Sequence, residues 1–363
     1  MREQKLSSSG PGLNDMTPEF TPARVLRNPH VQSVLASLRL RRPFVMRRAR
    51  ELLEASRMHT LDCGGGVRLL GYHSNQERHT PSPERRHAIA GHPRRLVVLI
   101  HGWEGSANSL YQLSAAAHLF GRGFDVFRLN LRDHGESHHL NVDIFHSCRL
   151  DEVIGAVRAV AGLFPRHALY LAGFSLGGNF ALRVAARAHE VGLEIERVVG
   201  VCPVLDPVHT LEALESGWKG YRRHFVGKWK RSLRRKQESH PGVYDFGELL
   251  SLNTLTDMTE WLVRRHSEYA DLATYLRGYG IVDGVLRDLT VPAHIILAAD
   301  DPIIPASDLD RLQAPDCLTV EVTDFGGHCG YLHGLSLTAW ADHRIYDALI
   351  GRWSDEQGLR RRA

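Results

Sequence analysis

Short apolar runs recur along the chain at a regular beat, separated by turns that carry glycine and proline. From Met58 the residues alternate through HTLDC, pass Gly64, Gly65 and Gly66, and return as VRLLGYH, which predicts a β-hairpin. Leu96–Ile100 (LVVLI) is continuously aliphatic, as a strand covered on both faces of a parallel sheet must be. Tyr111–Phe120 reads as a helix that stops at Gly121, and Phe124–Leu129 as the next strand. Helix Leu150–Leu163, strand Leu169–Ala172, helix Gly177–Ala188 and strand Val198–Cys202 continue the alternation. Strand and helix alternating at this pace predict an α/β fold with a doubly wound, mostly parallel sheet.

The rhythm breaks after Pro203. From Asp206 to Gly284 the chain is helix-like and rich in Trp and Tyr, and strand character resumes only at His294–Ala299 and Leu318–Val322. A last helix is expected near Leu337–Ile350. The pattern predicts a helical lid inserted between the sixth and seventh strands of the sheet. The expected division is a disordered tail over 1–20, a core in two parts over 21–205 and 285–352, the lid over 206–284 and a basic tail over 353–363. Residues 75–95, with three prolines, have loop composition.

Composition narrows the class. With 43% hydrophobic and 24% charged residues, the 363-residue chain is neither disordered nor fibrous, and its net charge of +4 points to no polyanionic partner. The opening MREQKLSSSGPGLNDM lacks an apolar core, and no segment approaches the ~20 apolar residues of a membrane-spanning helix, so a cytoplasmic or at most peripheral protein is expected. The five cysteines, Cys63, Cys148, Cys202, Cys317 and Cys329, have no C-x-x-C spacing and predict neither disulfides nor a structural zinc site. Cys202 sits in an apolar run and reads as core, while Cys329 adjoins candidate chemistry.

That chemistry centres on LYLAGFSLGGNFAL, where a buried strand runs into Gly173-Phe174-Ser175-Leu176-Gly177-Gly178 and out into a helix. This is G-x-S-x-G in its strand–turn–helix setting: glycines at Gly173 and Gly177 permit a turn tight enough to lift the serine hydroxyl clear of the sheet. It also leaves the Leu176 N–H unpaired at a helix start. Upstream, LVVLI runs into His101-Gly102-Trp103-Glu104-Gly105-Ser106, a turn able to aim the Trp103 N–H at the same point; two such donors make an oxyanion hole. A serine hydroxyl needs a base oriented by a third group. His328, flanked by Gly326, Gly327 and Gly330 after the strand LTVEV, is the expected base, with His333 as rival. Asp301, at the end of HIILAA, is the expected acid, ahead of Asp300 and then Asp206. His134, His138, His139 and His146 lie in one loop without a metal-ligand pattern and are read as solvated or loop-bracing; no metal or cofactor is expected.

Together these residues resemble the YheT-type branch of the α/β-hydrolase superfamily, the ABHD1/ABHD3-like (AB hydrolase 4) family. The resemblance runs in order through Asn28-Pro29-His30-Val31-Gln32, His101 to Ser106, His146-Ser147, Gly173 to Asn179, Asp300-Asp301-Pro302 and Gly326 to Gly330. It implies the α/β-hydrolase fold, a Ser175–Asp301–His328 triad and esterase activity on acyl esters as small-molecule substrates. Trp103, where that family usually has Leu, and Arg132-Asp133-His134-Gly135 depart from its pattern. Acyl transfer to an alcohol through the same acyl-Ser175, or a binding protein on the same fold, are the alternatives. Within the lid, Trp218 to Lys236 interleaves aromatic with basic residues and has no acid. Such a run is either a solvated helix face or an interfacial helix meeting an anionic membrane surface, and no motif for nucleic acid accompanies it.

Overall fold

The computed structural model describes residues 17, 19–78, 94–334 and 339–352. The basic tail, most of the N-terminal tail and most of the loop expected over 75–95 lie outside these residues. Phe20, expected in the disordered tail, is instead buried, with its ring against Tyr331 and Trp340.

Three helices open the described chain: α1 Pro29–Ser37, α2 Arg42–Arg48 and α3 Arg50–Glu54. The hairpin β1 Ser56–Asp62 and β2 Arg68–Ser74 follows, and then β3 Arg95–Ile100, α4 Leu110–Gly121 and β4 Phe124–Asn130. The core continues as α5 Leu150–Leu163, β5 Ala168–Phe174, α6 Leu176–Ala186 and β6 Arg197–Val201. Five helices then intervene, α7 Pro207–Ser216, α8 Lys219–Ser239, α9 Gly247–Ser251, α10 Leu255–His266 and α11 Leu272–Arg277, before β7 Ala293–Ala298, β8 Leu318–Thr323 and α12 Trp340–Leu349 close the fold.

The strands form one eight-stranded sheet in the order β1-β2-β4-β3-β5-β6-β7-β8. Only the pairings of β2, with β1 and with β4, are antiparallel. β4 and β7 are buried at every position, as strands between two helix layers must be, whereas edge strand β1 is mostly exposed, with Leu61 its one buried residue. α4 packs with α12 and α5 with α6. This order and this crossover pattern are those of the α/β-hydrolase fold, in which β5 sits centrally and ends where ligands bind.

The inserted helices are cut by strong caps. Asp206 caps α7 through Val208 N with Pro207 at its first position, Thr254 caps α10 through Asp257 N, and Asp271 caps α11 through Thr274 N. α8 looks uniformly basic in sequence but is two-faced. Tyr221, Phe225, Trp229 and Leu233, four residues apart, form one apolar stripe, while Arg223, Arg231, Arg234 and Arg235 point to solvent. Lys236 corrects the reading of the run as one charged face. It continues the apolar stripe and is buried, its ammonium donating to Asp133 Oδ1 at 2.8 Å, Asn141 O at 2.6 Å and Asp143 O at 3.1 Å. All three ammonium protons are used. Lys236→Gln therefore leaves the buried Asp133 carboxylate without its counter-charge, and a loss of about 3–5 kcal/mol in chemical denaturation is expected. Arg234→Gln, on the exposed face, should stay within about 0.5 kcal/mol of the parent.

Candidate active site

β5 delivers its last residues to a turn that only this sequence pattern tolerates. Ser175 has φ 53° and ψ −122°, a region that non-glycine residues rarely enter, and α6 starts at the next residue. A Cβ on Gly173 would lie 2.2 Å from Gly177 O, and one on Gly177 would lie 2.2 Å from Ile100 O. Both positions are thus closed to any side chain. The Ser175 N–H donates to Val201 O at 2.8 Å, tying the turn to β6. Among the described residues the Ser175 hydroxyl has no hydrogen-bond partner, and it opens into a cavity that His328 also lines.

The turn after β3 meets this elbow, since a Cβ on Gly102 would stand 3.1 Å from Ser175 Cβ. Two buried histidines hold it. His101 Nδ1 donates to Gly102 O at 2.7 Å, and its Nε2 accepts from Leu131 N at 3.2 Å. His134 Nδ1 donates to Arg132 O at 2.6 Å, and its Nε2 accepts from Glu104 N at 3.1 Å. Each ring needs one protonated and one free nitrogen for these bonds, so both are neutral. Burial agrees, pushing His134 down to about 4 and His101 well below the usual histidine range. The Tyr111 hydroxyl accepts from Gly102 N at 3.0 Å. Among the described residues the N–H groups of Trp103 and Leu176 have no hydrogen-bond partner, which leaves them available to a ligand.

The loop histidines are mostly braces rather than solvated groups. His138 is buried against Ser232 Oγ at 2.9 Å, and His146 is buried 3.6 Å from Glu268; His139 alone is exposed. They are spread around the loop and gather no shared ligand position among the described residues.

His328 stands on the loop after β8, and its Nδ1 donates to Asp301 Oδ2 at 2.9 Å. The other oxygen of Asp301 accepts from Ile303 N at 2.8 Å and Ile304 N at 3.0 Å, so the carboxylate is fixed before it meets the ring. Burial disfavours an imidazolium here. The Asp301 carboxylate overrides it, with the Cys329 sulfur acting in the same direction, and holds His328 well above the usual histidine value. Asp300 instead accepts from Gly327 N at 2.8 Å, which braces the histidine loop. Asp206 caps α7 and pairs with Arg311. His333 lies outside the cavity, its ring 6.4 Å from that of Phe20.

The sequence reading gave no role to the segment that positions this loop. Asn28 caps α1 by accepting from His30 N and Val31 N. From the first turns of α1, Gln32 donates to Leu26 O at 2.8 Å and Leu332 O at 3.1 Å and accepts from Leu332 N at 2.8 Å. Ser33 Oγ accepts from His328 N at 2.8 Å and donates to Pro29 O at 2.7 Å. The motif Asn-Pro-His-Val-Gln is a strand-free clamp on the histidine loop. In the sequence it stands out only as part of the family resemblance, which names no partner for it.

Ser175 and His328 share a cavity of about 410 Å³, within the range of small-ligand sites. Leu214, Tyr221, Phe225, Trp229, Leu255 and Leu262 line it from the inserted helices. The Trp103 indole stacks on Phe225 at 5.4 Å and meets Trp229 edge-on at 5.1 Å, so this turn and α8 form one aromatic wall. Lys228 lines the cavity, and no carboxylate does among the described residues.

Residues 95–240 match the model of the family described as alpha/beta hydrolase fold. Two zebrafish (Danio rerio) proteins named monoacylglycerol lipase ABHD2 are similar, one 23% identical over 216 residues and the other 26% over 213. The matched parts cover 54% and 52% of this chain, and the chain spans about half the length of these relatives. Among solved structures, the Pyrococcus furiosus esterase Pf2001 superposes with a TM-score of 0.54 at 15% identity, covering 84% of this chain and 93% of that one. A bacterial membrane phospholipase A described as a virulence factor superposes with a TM-score of 0.52 at 15% identity, covering 88% and 92%. At these identities the solved structures speak for the fold alone. Sheet order, matched segment and sequence relatives agree: the chain has the α/β-hydrolase fold, and over about half of its length it is similar to α/β hydrolases of the ABHD type.

Proposed function

We propose that the chain is a serine hydrolase of carboxylic esters that works through an acyl-enzyme on Ser175. The observation that carries this reading is a strained serine and an Asp301-held His328 opening into one apolar cavity. His328 Nε2 takes the Ser175 proton as Oγ attacks the ester carbonyl. The N–H groups of Trp103 and Leu176 receive the oxyanion, and the alcohol leaves with the proton from His328. Water then enters, gives its proton to His328 and releases the acid, restoring Ser175. The names of the ABHD2 relatives and of the esterase and phospholipase neighbours are consistent with ester substrates. The inserted helices serve as the lid whose aromatic wall receives the acyl chain. A series of p-nitrophenyl esters of graded chain length tests the reading: Ser175-dependent turnover is expected, and none at any length would overturn it.

The electrostatics add a pH signature. His328 must be neutral to accept a proton, and its pKa is raised above 6.5, so the ring is charged and idle at acid pH. The value of kcat/KM should therefore rise with pH, with a midpoint above 6.5. An Asp301→Asn substitution should move that midpoint down, as pH–rate profiles on a soluble ester would show.

The exposed arginines of α8 support peripheral contact with an anionic membrane, at about 1 kcal/mol per residue near the surface and fading with salt. Exchanging Arg231, Arg234 and Arg235 together for Gln, with Lys236 kept, should weaken sedimentation with phosphatidylserine vesicles at low salt. Turnover of a soluble short ester should stay unchanged. Equal vesicle binding would make this face a solvated one.

A further inference from the structure

The cysteine spacing in the sequence argues against zinc, yet folding gathers ligands that lie far apart in the chain. The Cys202 and Cys329 sulfurs and a ring nitrogen of His328 all lie within 4.8 Å of one another. Cys202 follows β6 and Cys329 stands on the histidine loop, and both have left-handed backbones, with φ 43° and 55°. The Cys329 N–H donates to Cys202 Sγ at 3.4 Å, which holds the two residues together. Both are free thiols.

Two thiols and an imidazole are a zinc donor set. At Zn–S of ~2.3 Å and Zn–N of ~2.0 Å, tetrahedral ligands stand roughly 3.5 Å apart. Side-chain shifts of about 1 Å would therefore close the site. His328 is also prepared for the role. Its Nδ1 is committed to Asp301, which leaves the Nε2 lone pair as the ligand, and a carboxylate behind an imidazole both orients and strengthens it for a metal.

We propose that Cys202, His328 and Cys329 form an inhibitory zinc(II) site. Two thiols lose their protons to solvent, and the ion takes two thiolate sulfurs and one imidazole nitrogen, with a neutral net charge and a fourth position for water. The Nε2 lone pair that would accept the Ser175 proton is then engaged, so the hydrolase is switched off until a chelator removes the ion. The inhibition rests on His328 being the base; the coordination does not.

The test uses the full chain, reduced with a phosphine and stripped with EDTA. Zinc chloride should abolish hydrolysis of a short p-nitrophenyl ester at one equivalent per chain, and EDTA should restore it. Cys202→Ser and Cys329→Ala should each hydrolyse the ester in EDTA, which also shows that they fold. Each should raise the half-inhibiting zinc concentration about tenfold or more, since weakening even the outer shell of a metal site costs about that much. Cobalt(II), as a spectroscopic substitute, should give a thiolate-to-metal charge-transfer band at one equivalent, and the double variant should lose it. Histidines elsewhere on the surface cannot produce that band. Equal zinc sensitivity of parent and variants, or no such band in the parent, would overturn the site. An ester-inactive parent that still shows the band would keep the site and remove the hydrolase reading instead.

Discussion

Alanine at position 175 should lower kcat by about 10⁶, the size of nucleophile loss in other triad enzymes, and should abolish labelling by a fluorophosphonate. The elbow makes this a clean substitution. Alanine keeps the Cβ that fits the turn and bears the same positive φ, so the fold and its cavity should persist. Whatever rate remains reports the oxyanion turn and substrate binding, which in such enzymes retain roughly 10³–10⁴ over water. Unchanged circular dichroism with lost turnover is the expected pair of results. Equal labelling of both proteins would place the reactive nucleophile elsewhere.

Replacing Asp301 by Asn should cost about 10⁴ in kcat, as loss of the carboxylate does in other Ser-His-Asp enzymes. The amide can sit in the same place, but its NH₂ or its carbonyl must face Nδ1, and it no longer stabilises the imidazolium that forms in the transition state. The two backbone bonds from Ile303 and Ile304 fix one oxygen of this side chain and so aim the other at the ring. Asp300→Asn is the matched control. Among the described residues its side chain is hydrogen-bonded by Gly327 N alone, so an amide oxygen can replace it, and a loss of less than about tenfold is expected. If Asp300→Asn were the more damaging of the two, the acid would be misassigned.

The contrast between these neighbours shows what a sequence can and cannot disclose. The strands, the elbow and the histidine loop announce themselves because each is a local rule: continuous aliphatic residues, glycines where two backbones touch, a histidine among glycines. Asp301 could be ranked above Asp300 by position at the strand exit, although both residues lie at the same turn. The role of His101 was invisible, and His134 could be read only as solvated or loop-bracing, since a histidine that braces and one that reacts have the same letter. Lys236 was misread for a related reason. Its burial follows from Asp133 more than a hundred positions earlier, and a helical pattern sees only its own neighbours. Gln32 and Ser33 escaped in the same way. Their partners belong to the far end of the chain, and no periodicity connects residue 32 with residue 332.

That last contact bears on how the molecule is made. A ribosome adding about 5–20 residues each second has the first helix out long before the histidine loop exists, so Gln32 must wait for its partner. Closing so long a loop is not itself expensive, because each doubling of loop length adds only about 0.6 kcal/mol of chain entropy. The consequence is one of timing: the histidine loop can be seated only at the end, after the sheet that presents Ser175 has already formed. A nascent chain would thus hold its elbow and its aromatic cavity together while still unable to turn over an ester, and competence would arrive with the closing strand and the clamp.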